Sequence, residues 1–197
     1  MRNGRRARGN AGKERRATGA RGARSMVATI DAPRKLVIRR AKPKDAARVW
    51  ELLRGLAVYE KLEHRVTGSA RQLARHMFGA RKIVDVLVAE QDGDLIGYAM
   101  YYFIYSSFRT QPMMWLEDIF VAPDRRGTGA GRALIHAVAR EAERLGCWRL
   151  SWAVLEWNEP AIGFYENLGA VRDEGGWYVY QFDDAKLKTI ARGKPGD

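Results

Sequence analysis

Cysteine and long apolar runs are nearly missing from this chain. A single cysteine, Cys147, stands among 197 residues, which excludes an internal disulfide and any metal site built from several cysteines. No apolar run approaches the roughly 20 residues of a membrane-spanning helix, and no hydrophobic signal core lies near the N-terminus. Because a reducing compartment suits a chain with one thiol, we expect a cytoplasmic protein that holds no metal and does not cross a membrane.

Acidic residues are scarce at the N-terminus. Residues 1–35 hold 11 of the 35 Lys and Arg residues but only two of the 23 Asp and Glu residues, so most of the net charge of +12 lies there. The stretch is rich in Arg, Gly and Ala without apolar periodicity, which predicts a disordered tail over residues 1–34. Such a tail could bind nucleic acid weakly through phosphates, act as a targeting peptide, or be an extension upstream of a functional start at Met26. The last interpretation is favoured because the tail has no aromatic residue for base stacking.

Residues 35–184 show the periodicities of one mixed α/β domain, and residues 185–197 are expected to form a C-terminal tail. Apolar runs and alternation predict strands at residues 36–40, 83–89, 95–103, 113–121, 148–155 and 177–182. Apolar stripes with helical spacing predict helices at residues 42–56, 67–77, 133–145 and 159–168. The order indicates a mixed sheet, with an antiparallel meander followed by a βαβ crossover and about four flanking helices. A further strand at residues 170–173 is left open.

A glycine-rich turn, Arg126–Gly131, separates the strand that ends at Val121 from the next helix. This arrangement points backbone N–H groups and the positive end of a helix dipole at one spot, which favours a phosphate. The P-loop requires Lys followed by Ser or Thr after its last glycine, whereas Arg132 and Ala133 stand here. The glycine spacing also fits the dinucleotide fingerprint poorly. A turn without a ligand remains the alternative.

Two motifs in this order resemble those of the GNAT acetyltransferases. The spacing Arg126-x-x-Gly129-x-Gly131 resembles their acetyl-CoA pyrophosphate loop, and Asn158–Ala170 is similar to their Asn-x-x-Ala-x-x-Phe-Tyr-x-x-x-Gly segment. Three more segments look like the diamine branch, which contains the spermidine/spermine and thialysine acetyltransferases: Gly97–Phe103, Leu116–Val121 and Trp157–Pro160. The resemblance extends from about residue 36 to about residue 182.

The resemblance implies the GNAT fold and an acetyl-CoA-dependent N-acetyltransferase without a metal. The acceptor would be a small primary amine (a diamine, a polyamine, thialysine or an amino-acid-like molecule), and transfer would be direct, in a ternary complex. Two alternatives stay open: a nucleic-acid or ribosome-associated protein that acts through its basic tail, and an acetyltransferase of a protein amino group. A ping-pong route through Cys147 is disfavoured because no His neighbours it.

A homodimer is expected because the strands carry more apolar surface than one sheet needs. The tryptophans that contribute most to this surface are close together in the sequence: Trp148, Trp152 and Trp157.

The resemblance also assigns residues to the coenzyme. Backbone amides of the loop would hold its diphosphate: Arg126, Gly127, Thr128, Gly129, Ala130 and Gly131. The pantetheine arm would run beside the main chain of Ile119, Phe120 and Val121, because a splayed strand edge offers unpaired amide and carbonyl groups. Asn158 and Tyr165 would complete the coenzyme site, although Asn158 is equally suited to cap the next helix.

Tyr165 is the expected catalytic acid. A departing thiolate must be reprotonated, and an ordinary thiol pKa near 8.5 makes a positioned phenol usable despite its own pKa of about 10. The alternative is a core aromatic, since Ile162, Phe164 and Tyr165 share an apolar helix face.

Glu117 is the expected catalytic base. An acceptor amine with a pKa near 10.4 is an ammonium at neutral pH and must lose a proton before it attacks. Strand alternation places Glu117 on the face of Trp115 and Ile119, opposite Asp118. Both carboxylates face one side only if a bulge intervenes. Pairing of Glu117 with an arginine is the alternative.

Carboxylates and aromatic rings suit a cationic amine, through ion pairs and cation–π contacts. The resemblance places seven such residues around the acceptor: Tyr59, Glu60, Glu63, Glu117, Asp118, Glu174 and Trp177. Solvated charges on an exposed face are an equally good interpretation. Arg109 departs from the diamine enzymes, because a cation that faced the pocket would repel a polyamine and would instead suit an acceptor with a carboxylate.

Overall fold

The computed structural model describes residues 35–173, 175–176 and 178–193. The tail of residues 1–34, Glu174 and Trp177 lie outside the described residues, so the expectations for them stay predictions. Five strands form one sheet: β1 (Leu36–Arg40), β2 (Asp85–Gln91), β3 (Asp94–Ser106), β4 (Gln111–Val121) and β5 (Leu150–Ser151). Their order along the sheet is their order along the chain.

Five α-helices accompany these strands in the described residues, and the last of them, at residues 184–192, has no buried residue. They are α1 (Ala46–Glu60), α2 (Ala70–Phe78), α3 (Ala130–Arg144), α4 (Glu159–Glu166) and α5 (Asp184–Arg192). Helix α2 begins after Ser69, whose hydroxyl oxygen accepts a hydrogen bond from the amide of Gln72, as expected of a serine cap. Helix α5 occupies most of the segment for which the sequence indicated only a tail, and it begins after Asp183, whose carboxylate accepts from the amide of Lys186.

The predicted topology is confirmed. Strands β1 to β4 pair in antiparallel order, and β4 pairs with β5 in parallel after the crossover through α3. The turn at Asp92 and Gly93 joins β2 to β3 with both residues at positive φ, as a tight hairpin turn requires.

The sheet separates two apolar layers. On one face, buried residues of the strands pack on α3: Leu87, Ala89, Ile96, Ala99, Tyr101, Met114, Leu116, Leu134 and Val138. On the other face they pack on α1 and α2: Val49, Leu52, Leu73, Met77, Val88, Tyr98, Met100 and Phe120. This three-layer arrangement holds β4 rigidly from both sides.

A β-bulge interrupts β4 at Glu117. Met100 and Tyr101 are adjacent on β3, but their partners on β4 are Asp118 and Leu116. Glu117, between these partners, is the extra residue and has no partner on β3. The bulge also explains why Leu116 and Ile119, three positions apart, both pack against the α3 layer. An extra residue of this kind re-aims the side chains that follow it.

Two strand predictions differ from the structure. The strand predicted at residues 148–155 contains only Leu150 and Ser151, because the chain then diverges from β4. The strand predicted at residues 177–182 is wrong for its described part: residues 178–182 are in no strand, and Tyr178, Val179 and Tyr180 are almost fully exposed. An apolar pattern makes a strand only where a partner edge accepts its hydrogen bonds. Residues 170–173 are in no strand either.

Among the described residues, no helix is both long and apolar enough to cross a membrane.

Candidate active site

A cleft opens where β4 and the chain after β5 diverge, and helices α1 and α4 close its sides. Its volume is about 270 Å³. The residues that line it come from α1, β4, the glycine loop with the start of α3, the chain after β5, and α4 with its cap: Leu56, Tyr59, Glu60, Leu116, Glu117, Asp118, Ile119, Phe120, Val121, Arg126, Gly131, Trp152, Ala153, Val154, Asn158, Pro160, Ala161, Phe164 and Tyr165. The sequence thus places acidic, aromatic and amide side chains from distant positions in one concave site, which is the usual form of a ligand site.

The bulge brings both β4 carboxylates to this cleft. Glu117 Oε2 accepts hydrogen bonds from the Tyr102 hydroxyl and from the Trp115 indole, each at 3.1 Å. Asp118 Oδ2 accepts from the hydroxyl of Tyr98, also at 3.1 Å. Glu117 thus lies beside Trp115 as strand alternation predicts. The bulge is the exception that the prediction allowed, and it brings Asp118 to the same cleft while Ile119 packs against the α3 layer.

Asp118 is a carboxylate in an unfavourable environment. Burial, opposed by the hydrogen bond from Tyr98 and reinforced by the charges of Glu117 and Glu60, raises the pKa of Asp118 to about 6. Burial also raises the pKa of Glu60. A cation that entered the cleft would relieve this repulsion, so the site favours a positively charged ligand.

Tyr165 faces the same carboxylates from α4. Its ring lies 5.0 Å from that of Trp152 and 5.3 Å from that of Phe164, measured between centroids. Burial, together with the charges of Glu60 and Asp118, raises the pKa of Tyr165 to about 12. The phenol therefore stays protonated at neutral pH and is a hydrogen-bond and proton donor within the cleft.

The glycine loop ends at the first turn of α3. Gly127 and Gly129 have φ values of 77° and 83°, with open space where a Cβ would stand, so backbone conformation is the reason for glycine at both positions. The first amides of α3, from Ala130 onward, point out of the helix N-terminus. Of the six predicted loop residues, Arg126 and Gly131 line the cleft, whereas Gly127, Thr128, Gly129 and Ala130 do not.

The side chain of Arg126 lies across the edge of β4. Its guanidinium is 4.5 Å from the ring centroid of Tyr59 and 5.9 Å from that of Phe120, and its Nε donates to the carbonyl of Val121 at 3.4 Å. A ligand that pairs with this carbonyl must displace the arginine. The space beside Gly127 and Gly129 is therefore open, whereas the Arg126 side chain covers the edge of β4 at Val121.

Asn158 caps α4, as its alternative interpretation predicted. Its Oδ1 accepts from the amide of Ala161 at 3.4 Å and from the hydroxyl of Tyr59 at 2.9 Å. The residue still lines the cleft, so the cap and a ligand contact are compatible.

Three predicted or suspected residues are elsewhere. Glu63 is exposed in a short 3₁₀ segment outside the cleft. Arg109 stacks on Trp148 at 4.3 Å from the ring centroid and is not among the residues that line the cleft, so it does not repel a cation there. Cys147 is also outside the cleft, and burial raises the pKa of its thiol, which disfavours a thiolate nucleophile.

Sequence reasoning missed the role of Trp152, which was assigned to surplus apolar surface but forms a cleft wall beside Tyr165. Trp148 stacks on two arginines, Arg109 and Arg149, and Trp157 lies 6.1 Å from Tyr59. Each tryptophan therefore has a partner within the chain. One signal in the sequence could have indicated that Trp152 lines the cleft. The residue directly follows β5, the strand that comes after the glycine loop and its helix, α3.

Comparisons with known proteins agree with this geometry. Residues 58–170 match the model of the acetyltransferase (GNAT) family. Thialysine N-epsilon-acetyltransferase of Sus scrofa is 37% identical over 166 residues, which cover 79% of this chain and 97% of that protein. Spermidine/spermine N(1)-acetyltransferase-like protein 1 of Homo sapiens is 30% identical over 163 residues, or 78% of this chain and 23% of that protein.

A solved structure shows the same fold. An integron cassette protein from the mobile metagenome of V. cholerae superposes with a TM-score of 0.67 and 25% identity, over 80% of this chain and 98% of that one. The family match spans the strand, the glycine loop and the tyrosine helix that form the cleft. The chain is a GNAT-family N-acetyltransferase.

Proposed function

We propose that this protein transfers the acetyl group of acetyl-CoA directly to a primary amine of a small cationic molecule, in a ternary complex. One observation carries the proposal: Glu117 and Asp118, brought together by the bulge, line the same cleft as Tyr165. A proton acceptor and a proton donor thus stand on two sides of one site, as direct transfer to an ammonium requires.

The residues present fit acetyl-CoA. The open glycine turn and the N-terminus of α3 suit a diphosphate, and the edge of β4 at Ile119, Phe120 and Val121 suits an amide-bearing arm. Arg126 would leave the carbonyl of Val121 and move toward the diphosphate, exchanging a weak contact for a charge-assisted one. Bound acetyl-CoA supplies the thioester that is cleaved.

The carboxylates would take the proton from the acceptor. An ordinary amine with a pKa near 10.4 gives it up to water at a cost of about 4–5 kcal/mol at neutral pH. Glu117 remains our proposed base. Asp118, whose pKa of about 6 lies above the ordinary 3.8, would hold the ammonium and could share its proton, because a carboxylate with a raised pKa is a better proton acceptor.

Tyr165 would protonate the departing thiolate. With a pKa of about 12 the phenol is a weaker acid than a thiol with a pKa near 8.5. Burial is the main cause of this raised pKa, and the charges of Glu60 and Asp118 add to it. An acceptor cation beside these two carboxylates would offset their contribution, so the phenol would be a stronger acid with the acceptor bound than without it.

A small cationic acceptor is favoured over a protein amino group by the acidic residues in a cleft of limited volume. Glu60 and Asp118 would flank the amine, and the ring of Tyr59 would form the neighbouring wall of the cleft. The names of the relatives, thialysine and spermidine/spermine acetyltransferases, point to acceptors of this class.

Thiol release from acetyl-CoA tests the proposal. Purified full-length protein should release thiol with thialysine, lysine, ornithine, putrescine or spermidine. Norleucine, which matches lysine but lacks the side-chain amine, should give none, and an amine-bearing peptide tests the protein acceptor. Binding of CoA by calorimetry, with no thiol release for any acceptor in the panel, would contradict the assignment.

We also propose that the protein is a cytoplasmic homodimer. Phe103, Tyr105 and Phe108 are exposed around the end of the β3–β4 hairpin, and Phe108 is 96% exposed. Covering such an apolar surface with a second copy is favourable. Light scattering at micromolar concentration should give twice the mass of the 22.3 kDa chain, and a monomer would contradict the dimer.

A further inference from the structure

One hydrogen bond joins the two helices on either side of the cleft. Tyr59, in the last turn of α1, donates its hydroxyl to Oδ1 of Asn158 at 2.9 Å across 99 positions of sequence. The guanidinium of Arg126 lies 4.5 Å from its ring centroid, and the ring of Trp157 lies 6.1 Å away between centroids. The hydrogen bond to Asn158 fixes the direction of the hydroxyl.

Asn158 depends on this bond. The residue is 6% exposed, so its carbonyl oxygen needs a partner within the protein. The bond from the amide of Ala161 is long, at 3.4 Å, and the bond from Tyr59 is the better of the two. Without it, a buried acceptor at the start of α4 would be poorly satisfied.

The position of Tyr165, the candidate acid, depends on how the start of α4 is held. Helix α4 is short, Glu159–Glu166, and it carries Tyr165 in its last turn. Helix α1 ends with Glu60, next to Tyr59. The hydrogen bond from Tyr59 to Asn158 therefore connects α1, which carries Glu60, to α4, which carries Tyr165.

We propose that Tyr59 is a positioning residue, whose hydroxyl holds the N-terminus of α4 through Asn158 and so sets Tyr165 relative to Glu60. The proposal rests on the proposed acetyl transfer and differs from a direct contact of Tyr59 with the acceptor. A positioning role acts on the rate of transfer, whereas a direct contact acts on acceptor binding.

A double-mutant cycle separates these roles. Tyr59→Phe keeps the ring and removes the hydroxyl, and Asn158→Ser keeps a helix-capping oxygen but is too short to reach Tyr59. Each variant should lower kcat with thialysine about three- to tenfold, the range of one lost hydrogen bond. The double variant should be no slower than the slower single one, since both remove the same bond. The acceptor KM and the Kd for CoA should stay within about twofold in Tyr59→Phe.

Asn158→Asp is the matched variant, because its carboxylate can both cap α4 and accept from Tyr59. Relative to the kcat of Asn158→Asp itself, Tyr59→Phe should again slow transfer about three- to tenfold, whereas it should not slow Asn158→Ser further. The unfolding free energies of the same proteins should show the same non-additivity, which is a readout independent of acetyl transfer.

Multiplicative losses in the double variant would overturn the positioning role, as would a rise in acceptor KM with unchanged kcat in Tyr59→Phe. An unmodified protein that transfers no acetyl group would instead contradict the proposed function itself. The two failures are therefore distinguished by the activity of the unmodified protein.

Discussion

Asp45 and Asp118 are two carboxylates held within the same domain, one beside β1 and the other on β4. Asp45 is 5% exposed and accepts from the Arg39 guanidinium and from the amide of Lys42, both at 2.7 Å. Asp118 accepts from Tyr98 and has two acidic neighbours, Glu117 and Glu60.

The two environments shift the two pKa values in opposite directions. The hydrogen bond from Arg39 lowers the pKa of Asp45 despite its burial, whereas burial raises the pKa of Asp118 to about 6. A paired carboxylate supports the fold, and an unpaired one in a cleft is a cost that a cationic ligand can relieve. This difference supports our proposal that Asp118 acts on the ligand, whereas Asp45 supports the fold.

The largest effect is expected at Tyr165, the phenol that faces the unpaired carboxylates. Tyr165→Phe should lower kcat about 10²- to 10⁴-fold, the usual contribution of a general acid, with little change in the Kd for CoA. Thiol release and calorimetry measure the two quantities. Tyr105→Phe, on the exposed end of β3, is the matched control and should keep full activity. Equal rates for Tyr165→Phe and the unmodified protein would remove Tyr165 from the acid role.

The next effect concerns the paired carboxylate. Asp45→Asn should lower the free energy of unfolding near pH 7 by about 2 kcal/mol, because it removes one of the two carboxylates that pair with the Arg39 guanidinium and leaves Glu90 as the other. Chemical denaturation measures this loss. The depressed pKa of Asp45 means that its contribution is present above the unfolded pKa of about 4 and is lost as the pH falls through the folded value.

The difference between Asp45→Asn and the unmodified protein should therefore shrink in acid. Glu51→Gln, which breaks the exposed pair with Arg48, should change stability by less than about 1 kcal/mol. A loss for Asp45→Asn no larger than that of Glu51→Gln would contradict the structural role of the buried pair.

Asp118→Asn should change the free energy of unfolding in the opposite direction and make the protein more stable at neutral and alkaline pH. A folded pKa of about 6, above the ordinary 3.8, means that the contribution of Asp118 to stability becomes less favourable as the pH rises from about 4 to about 6. The variant lacks this penalty, so it should be about 2 kcal/mol more stable near pH 8 and no more stable near pH 4.

The same variant should transfer acetyl more slowly, because it removes the charge that would hold the ammonium. Denaturation curves at the two pH values, with thiol release beside them, measure both effects. A variant that is less stable near pH 8 would contradict the unpaired state of Asp118.

Local signals in the sequence predicted the meander and the glycine loop. The four antiparallel strands follow from alternation, and the turn at Asp92 and Gly93 fixes the first hairpin. The loop Arg126–Gly131 lies between a strand and a helix as its glycines indicate. Each of these features depends on residues close together in the chain.

Long-range features could not be predicted in this way. The bulge at Glu117 depends on the register between β3 and β4, which no alternation within β4 reveals. The bond between Tyr59 and Asn158 joins residues 99 positions apart. The apolar pattern of residues 178–182 suits a strand, but it gives no information about a partner edge. The sequence thus predicted many of the residues that line the cleft, but not the contacts that those residues make with one another.

We propose that one cleft brings an acetyl donor and a cationic amine together for direct transfer. The most direct measurement mixes acetyl-CoA with the protein, first without an acceptor and then with thialysine, and follows thiol release while mass spectrometry locates the acetyl group. We predict no thiol release without the acceptor, and one acetylated thialysine for each thiol released with it. A burst of thiol without acceptor, with the acetyl group on the protein, or no transfer to any amine, would contradict the account.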